Sequence, residues 1–263
     1  MMTVHLYGLS VASLRVGGFV RVSSDLGFSN PELGALMKYV KTVVCFANSR
    51  KTGGFCVAGK EWLDGNPGAW IRPVSARPTH EVYQKEMRCN DRTTPHVLDI
   101  LAVPCENHQP ISHQQENHVI DPVISWEKEG RIAWQDIRKW TDTPPSLWGF
   151  GNGSYVGLNN RLSIGQEDGT SLYLVEVDRL CLMVGRKASE YVDSKRAVRG
   201  KFIYRGVNYR MDITDPEIER EYLSKPDGQY QIMHPVLCIS LGDPYQGYFY
   251  KLIAAVLYKE RFS

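Results

Sequence analysis

VVCFANSRKTGGFCVAGKEW at residues 43–62, with GAWIRPVS following at 68–75, sets the fold class. The run at 39–46 is apolar and β-branched, as a half-buried pleated strand requires. Residues 48–54 are polar and basic with two glycines, and read as a turn. A second short strand fits 55–59. Asp64-Gly65-Asn66-Pro67-Gly68 is a turn cluster, 69–74 a third strand and 97–103 a fourth. Short strands separated by Gly, Pro and Asn clusters predict a small barrel or sandwich.

The pattern returns further along. Strand signals lie at 171–177, 180–184, 202–204, 207–212, 236–241 and 248–258, with Arg205-Gly206 as a hairpin turn. Residues 216–223 open on Pro216 with acidic neighbours, which predicts a short helix. Between the blocks, Ile132, Ile137 and Trp140 sit among charges, so 131–140 fits an amphipathic helix. Residues 141–157 carry paired prolines, glycines and aromatics and read as an ordered connector.

The expected fold is therefore mostly β with minor α. Two small barrels, 37–125 and 166–263, flank a partly helical connector at 126–165. Their size suits the five-stranded oligonucleotide/oligosaccharide-binding (OB) barrel. An SH3-like barrel or a sandwich would give the same strand count. Residues 1–36 show no period, and Met37 would serve as a start. They are expected to be a poorly ordered extension or the product of an upstream start.

Hydrophobic residues make up 43% of the 263 positions and charged residues 23%, as in an average globular protein. No apolar run approaches the ~18 residues that span a bilayer, and no secretory signal pattern opens the chain. Six cysteines without a C-x-x-C pair read as reduced thiols, which places the protein in the cytoplasm. The net charge of +2 is too small to identify a partner.

Its distribution says more. Arg186, Lys187, Lys195, Arg196, Arg199, Lys201, Arg205 and Arg210 face only Glu190 and Asp193 within 186–210, with Tyr191, Phe202, Tyr204 and Tyr209 interleaved. Cations release counterions from phosphates, and aromatic faces stack bases. The competing reading is a solvated basic loop whose aromatics turn into the core. Asn48-Ser49-Arg50-Lys51 could hold an anion, or could be a hairpin turn with exposed charges. Trp70 and Arg72 share a strand face and could stack a base, or Trp70 could be core with Arg72 paired to a carboxylate.

Cys105, His108, His113 and His118 follow a C-x2-H-x4-H-x4-H spacing that is loose for zinc, and a hydrogen-bonded polar loop is the better reading. Asp212, Asp215 and Lys251 could serve a Mg²⁺-dependent nuclease. Thr214-Asp215-Pro216-Glu217 reads better as a helix start with Asp215 as its N-cap. No hydrolase elbow, zinc-protease helix or dinucleotide fingerprint occurs.

The two opening stretches, QQEN at 114–117, YRGVNYRMDITDPEIEREY at 204–222 and VLCISLGDPYQGYFYKLIAAVL at 236–257 together resemble a prokaryotic family, the dual-OB-domain-containing proteins. The resemblance spans about 37–258. It implies two OB barrels and a nucleic-acid role in bacterial conflict or mobile-element settings, and it implies no catalytic residue. Its motif positions are Asn48, Ser49, Arg50, Lys51, Trp70, Arg72, Asp212, Asp215 and Lys251.

The expected function is binding of single-stranded or structured nucleic acid, without cofactor, metal or membrane. Arg50, Lys51, Arg72, Lys195, Arg196, Arg199, Lys201 and Arg205 are expected on phosphates, with Tyr204, Tyr209 and Trp70 stacking bases. A metal-dependent nuclease and a protein-interaction or ligand-sensing domain are the alternatives.

Overall fold

The computed structural model describes residues 38–155, 157–186 and 195–262. The extension expected at 1–36, and Lys187, Glu190, Tyr191 and Asp193 of the basic segment, lie outside the described residues.

The first sheet holds β1 (Tyr39–Lys51), β2 (Gly54–Leu63), β3 (Asn66–Val74), β4 (Asp99–His108), β5 (Asn117–Ile120) and β6 (Glu127–Arg131). Its order is β1-β2-β3-β5-β4, and β4 pairs back onto β1, which closes a five-stranded barrel. β1 serves two neighbours because it bends. A bulge between Cys45 and Ala47 lets Tyr39–Val44 pair with β4 while Val43–Lys51 pairs with β2. Gly59 sits in the crowded crossing, where an added Cβ would lie 2.0 Å from the Val44 carbonyl oxygen.

The polar stretch expected as a turn is strand as far as Lys51, and only Thr52 and Gly53 turn. Tertiary pairing explains the difference. The Arg50 N–H donates to the Thr214 carbonyl at 2.8 Å, so the second half of the chain holds the end of β1 extended.

The expected helix at 131–140 is a 3-10 helix, Trp134–Trp140, with Ile137 and Trp140 buried. The second sheet contains β7 (Arg161–Ser163), β8 (Leu172–Glu176), β9 (Arg179–Arg186), β10 (Arg196–Tyr204), β11 (Val207–Ile213), β12 (Gly228–Met233), β13 (Val236–Tyr245) and β14 (Tyr248–Leu257), with helix α1 (Pro216–Leu223) between β11 and β12. β6 extends the first sheet past the expected boundary at 125, and β7 joins the second sheet before 166.

β8–β9 and β12–β13 are one ladder. Glu176 lies opposite Val236 and Arg179 opposite Met233, so the register is unbroken. The gap is bridged by Val177 N–H to Pro235 and His234 N–H to Asp178. With that ladder as one strand pair, the second barrel repeats the order of the first. Its closing parallel pair, β11 with β14, matches β3 with β5.

Each barrel has its own core, built on Trp126, Met87 and Cys105 in the first and on Phe202, Tyr209 and Ile253 in the second. A third cluster is shared: Phe46 and Val44 of β1, Trp140 of the connector, and Leu174, Cys238 and Leu257 of the second barrel. The barrels are thus fused through apolar packing. All six cysteines are free. Among the described residues no helix is long and apolar enough to cross a membrane.

Candidate nucleic-acid interface

OB barrels bind ligands on the face of their second and third strands. In the first barrel that face is β2–β3, and it is already occupied. Trp62 stacks on Trp140 with centroids 5.7 Å apart and planes at 9°. Lys60 Nζ donates to the Trp140 carbonyl at 2.7 Å and to Asp142 at 2.6 Å. Trp70 Nε1 donates to the same carboxylate at 3.3 Å, and so does the Leu174 N–H at 2.8 Å.

Arg72 is 2% exposed. Its guanidinium donates to Glu116 at 2.9 Å, to Ser171 Oγ at 2.7 Å and to Cys56 Sγ at 2.9 Å. Burial alone would pull its pKa down, but Cys56 and Glu116 outweigh burial and raise it. The expectation that Trp70 and Arg72 meet nucleic acid does not fit this geometry. The connector and the second barrel cover them, and their polar groups are spent on Asp142 and Glu116.

The two cations of Asn48-Ser49-Arg50-Lys51 also work between the barrels. Asn48 Nδ2 donates to the Pro95 carbonyl, and buried Ser49 donates to that of Cys56. Arg50 forms a bidentate pair with Glu219 of α1 at 3.0 and 2.9 Å. Lys51 pairs with Asp243 of β13 at 2.9 Å. The segment is a clamp whose cations already have carboxylates, so its expected phosphate role does not fit this geometry.

The corresponding face of the second barrel, β10–β11, is exposed at Lys201, Ile203 and Asn208 and half-buried at Arg199, Arg210 and Asp212. Strand side chains alternate in direction. Arg199, Lys201 and Ile203 of β10 and Asn208, Arg210 and Asp212 of β11 therefore point outward, while Phe202, Tyr204, Tyr209 and Met211 point in. Tyr209 is fully buried and stacks on Phe202 at 5.4 Å. Tyr204 is buried, and its hydroxyl donates to the Pro144 carbonyl at 2.8 Å. Their expected role as base platforms does not fit this burial, because the strand period sends interleaved cations and aromatics to opposite sides.

Lys201 and Arg210 lie directly opposite each other. Among the described residues Lys201 has no hydrogen bond or ion pair, and Arg210 Nε is buried without a hydrogen-bond partner. Like charges facing across a ladder are destabilising. Arg199 lies opposite Asp212, and its pKa is lowered by burial and then by Arg210, against the pull of Asp212. Lys195 is exposed. Arg196 is structural: it pairs with Asp227 at 2.8 Å and donates to the Leu223 and Lys225 carbonyls past the end of α1. Arg205 donates to the Thr143 carbonyl at 3.2 Å.

Exposed aromatics do exist beside this face, on residues that the sequence reading missed. Leu158 bridges to Arg210, and β7 then pairs with β14. There the Arg161 guanidinium lies 4.2 Å from the Tyr248 ring, and Tyr250 stands 6.4 Å from Tyr245, which is 63% exposed. The alternation in Tyr248-Phe249-Tyr250-Lys251 could have found them, because the two tyrosines and the Phe–Lys pair must face opposite ways.

The chain matches the family model described as the dual OB-containing domain over residues 41–256. It belongs to that family. No curated protein and no solved structure matches it.

The polar residues that sequence spacing brings together in this dual OB-containing chain do not converge. Asp212 is opposite Leu252 on the outer side, whereas Lys251 points inward and is 1% exposed. Asp215 caps α1 by accepting from the Glu217 and Ile218 N–H groups. It also accepts from the Val256 N–H at 3.0 Å and from Arg261 at 2.6 Å. Cys105 faces the first core, His118 Nδ1 meets the Tyr39 hydroxyl at 2.6 Å, and His113 packs on Phe249 of the other barrel. Burial, then the nearby His108, push His118 down to about 3. Among the described residues no three metal-ligating side chains gather.

Among the described residues Lys251 Nζ has one hydrogen-bond partner, the Gly149 carbonyl at 3.0 Å, and it lies 5.6 Å from the Tyr209 ring. Burial lowers its pKa to about 8 from the ordinary 10.5. Between those values the unfolded chain holds a proton that the native chain does not, so stability rises with pH across that window. Lys251→Met is expected to raise stability at pH 7 by about 1–3 kcal/mol and to abolish that rise. Urea unfolding between pH 7 and 10.5 checks both effects. A loss of stability at pH 7 would mean that the Gly149 contact outweighs the cost of burying the amine.

Proposed function

We propose that this dual OB-containing chain binds nucleic acid on the outer face of its second barrel. The observation that carries the reading is the contrast between its two faces. The face of β2–β3 is filled by Trp140, Asp142 and the second barrel. The face of β10–β11 presents exposed Lys201 directly opposite half-buried Arg210, with Arg199 opposite Asp212 in the next outward row. A phosphate placed there relieves their repulsion and releases its own counterions. Tyr245, Tyr248 and Tyr250 lie farther round the same outer surface, where bases can stack.

Fluorescence anisotropy with labelled single-stranded DNA, single-stranded RNA and duplex, each across a salt series, tests the proposal. Affinity is expected to fall steeply with salt. Lys201→Ala combined with Arg210→Ala is expected to flatten the slope of log K against log salt by about two, one per phosphate contact. Failure to bind any of the three at low salt overturns the reading. Exposed Ile203 and Met233 on the same face would then direct attention to a protein partner.

A further inference from the structure

We infer that the loop between β4 and β5 is an acid-released latch: the neutral imidazole of His113 holds its tip against the second barrel, and protonation of that ring frees the tip. The latch works whether or not the chain binds nucleic acid.

Hairpin tips ordinarily lie in water, where their polar groups are solvated. This tip is half withdrawn from it. Ile111 and Gln114 exchange backbone hydrogen bonds at 3.0 Å each, so Ser112 and His113 form the turn. The Gln115 amide donates to the Ile111 and Ser112 carbonyls and stiffens it. Ser112 is exposed, but His113 is only 2% exposed, and its ring lies on Phe249 of β14 with centroids 4.4 Å apart. At the base of the loop, Glu116 accepts from Arg72 and from Ser171 of the second barrel. The loop is thus tied across the junction at its base by an ionic network and at its tip by an imidazole.

Both ring nitrogens of His113 are buried without a hydrogen-bond partner among the described residues. A neutral imidazole leaves one donor and one acceptor unpaired there, whereas an imidazolium leaves two donors and a charge. The charged groups around the ring are Arg72 of β3, Glu116 of the loop itself, Asp243 of β13 and Glu167 in the segment after β7. Each carboxylate is already engaged. Glu116 holds Arg72, Asp243 pairs with Lys51 at 2.9 Å, and Glu167 accepts from the Gly165 N–H at 2.6 Å.

Burial and then Arg72 pull the pKa of His113 below the ordinary 6.5, and the three carboxylates offset this only in part. A tip released into water keeps the ordinary value. As pH falls through 6.5, the released state therefore binds a proton that the docked state refuses, and docking weakens.

The test compares the wild type with His113→Phe, which keeps a ring on Phe249 and removes both nitrogens, and with His113→Leu as a second variant. Urea unfolding and hydrogen–deuterium exchange are measured at about pH 7.5 and about pH 5. Exchange is read as protection factors, which remove the intrinsic pH dependence of the amides. Between the two conditions the folding constant is expected to fall about tenfold further in the wild type than in either variant. Protection of residues 109–116 is expected to fall about tenfold more than that of β13 and β14 in the wild type, and no more than theirs in His113→Phe. His118 is buried too, but it meets Tyr39 within the first barrel, so its titration is common to all three proteins and drops out of the comparison. Equal acid losses in the wild type and the variants overturn the latch. So does an acid loss that vanishes with His113 while residues 109–116 stay as protected as β13 and β14, because the ring then burdens the fold without releasing the loop.

Discussion

Arg72→Met lowers the stability of the whole chain by about 3–5 kcal/mol, the cost of stranding one partner of a buried ion pair. Arg72 and Glu116 are both largely withdrawn from water, with side chains 3% and 9% exposed. The methionine fills the aliphatic volume but leaves the Glu116 carboxylate facing apolar surroundings without its countercharge. Ser171 Oγ, which donates to that carboxylate and accepts from Arg72, loses one side of its network. The effect spans the whole molecule because Arg72 is on the first barrel and Ser171 on the second. Adding Glu116→Leu to Arg72→Met is expected to recover most of the loss, since a packed apolar pair is close to neutral against a buried ionic one.

Urea unfolding of the two single variants and the double variant measures this coupling. Nucleic-acid affinity of folded Arg72→Met is expected to equal that of the wild type. Normal stability with weakened binding would instead make Arg72 a phosphate contact and reopen the first barrel's face.

The strands were legible wherever burial on one face writes apolar residues into the chain. β1, β2, β3, β11, β13 and β14 all carry such runs. β5 was not legible. All four of its residues, Asn117 to Ile120, are buried, yet two are polar: Asn117 donates to Gln114 three residues back, and His118 meets the Tyr39 hydroxyl. β6 reads EKEGR because it is an edge strand with charges in water. β12 escaped for a related reason: its GQYQIM buries only Ile232 fully.

Asp215 was readable as a helix cap because capping is a local signature, carried by Pro216 and Glu217 beside it. The site was legible in its charge and not in its geometry. Lys201 stood out as part of a cationic segment. Assigning Tyr204 and Tyr209 to the same surface ignored the two-residue period that buries them. No local pattern reveals that Trp70, Arg72 and the Asn48-Ser49-Arg50-Lys51 segment face another barrel. A face spent on a partner within the same chain has the composition of a face awaiting a ligand: aromatics, a guanidinium and neighbouring amides. Only the identity of the covering residues, Trp140 and Asp142 from a connector some 70 residues away, separates the two cases.

Trp140 is the residue on which that covering depends, and Trp140→Ala is expected to cost about 3–5 kcal/mol. The indole is fully buried in the shared cluster, with Trp62 on one side and Phe46 at 5.6 Å. Truncation leaves a cavity against both rings, and only their partial collapse can fill it. Trp140→Phe separates packing from polarity. It keeps a ring in place, and it removes an indole N–H that is buried without a hydrogen-bond partner among the described residues. Leaving such a donor unpaired costs about 1–3 kcal/mol, so its removal offsets much of the lost volume, and the phenylalanine variant should fall well above the alanine variant in urea midpoint.

The shape of the transition carries the architectural point. If the shared cluster makes the two barrels one cooperative unit, Trp140→Ala shifts a single transition at unchanged slope. Two separated transitions would show that each barrel stands on its own core and that the connector merely screens the first barrel's face. In that case the same variant should bind nucleic acid at a second, newly uncovered site.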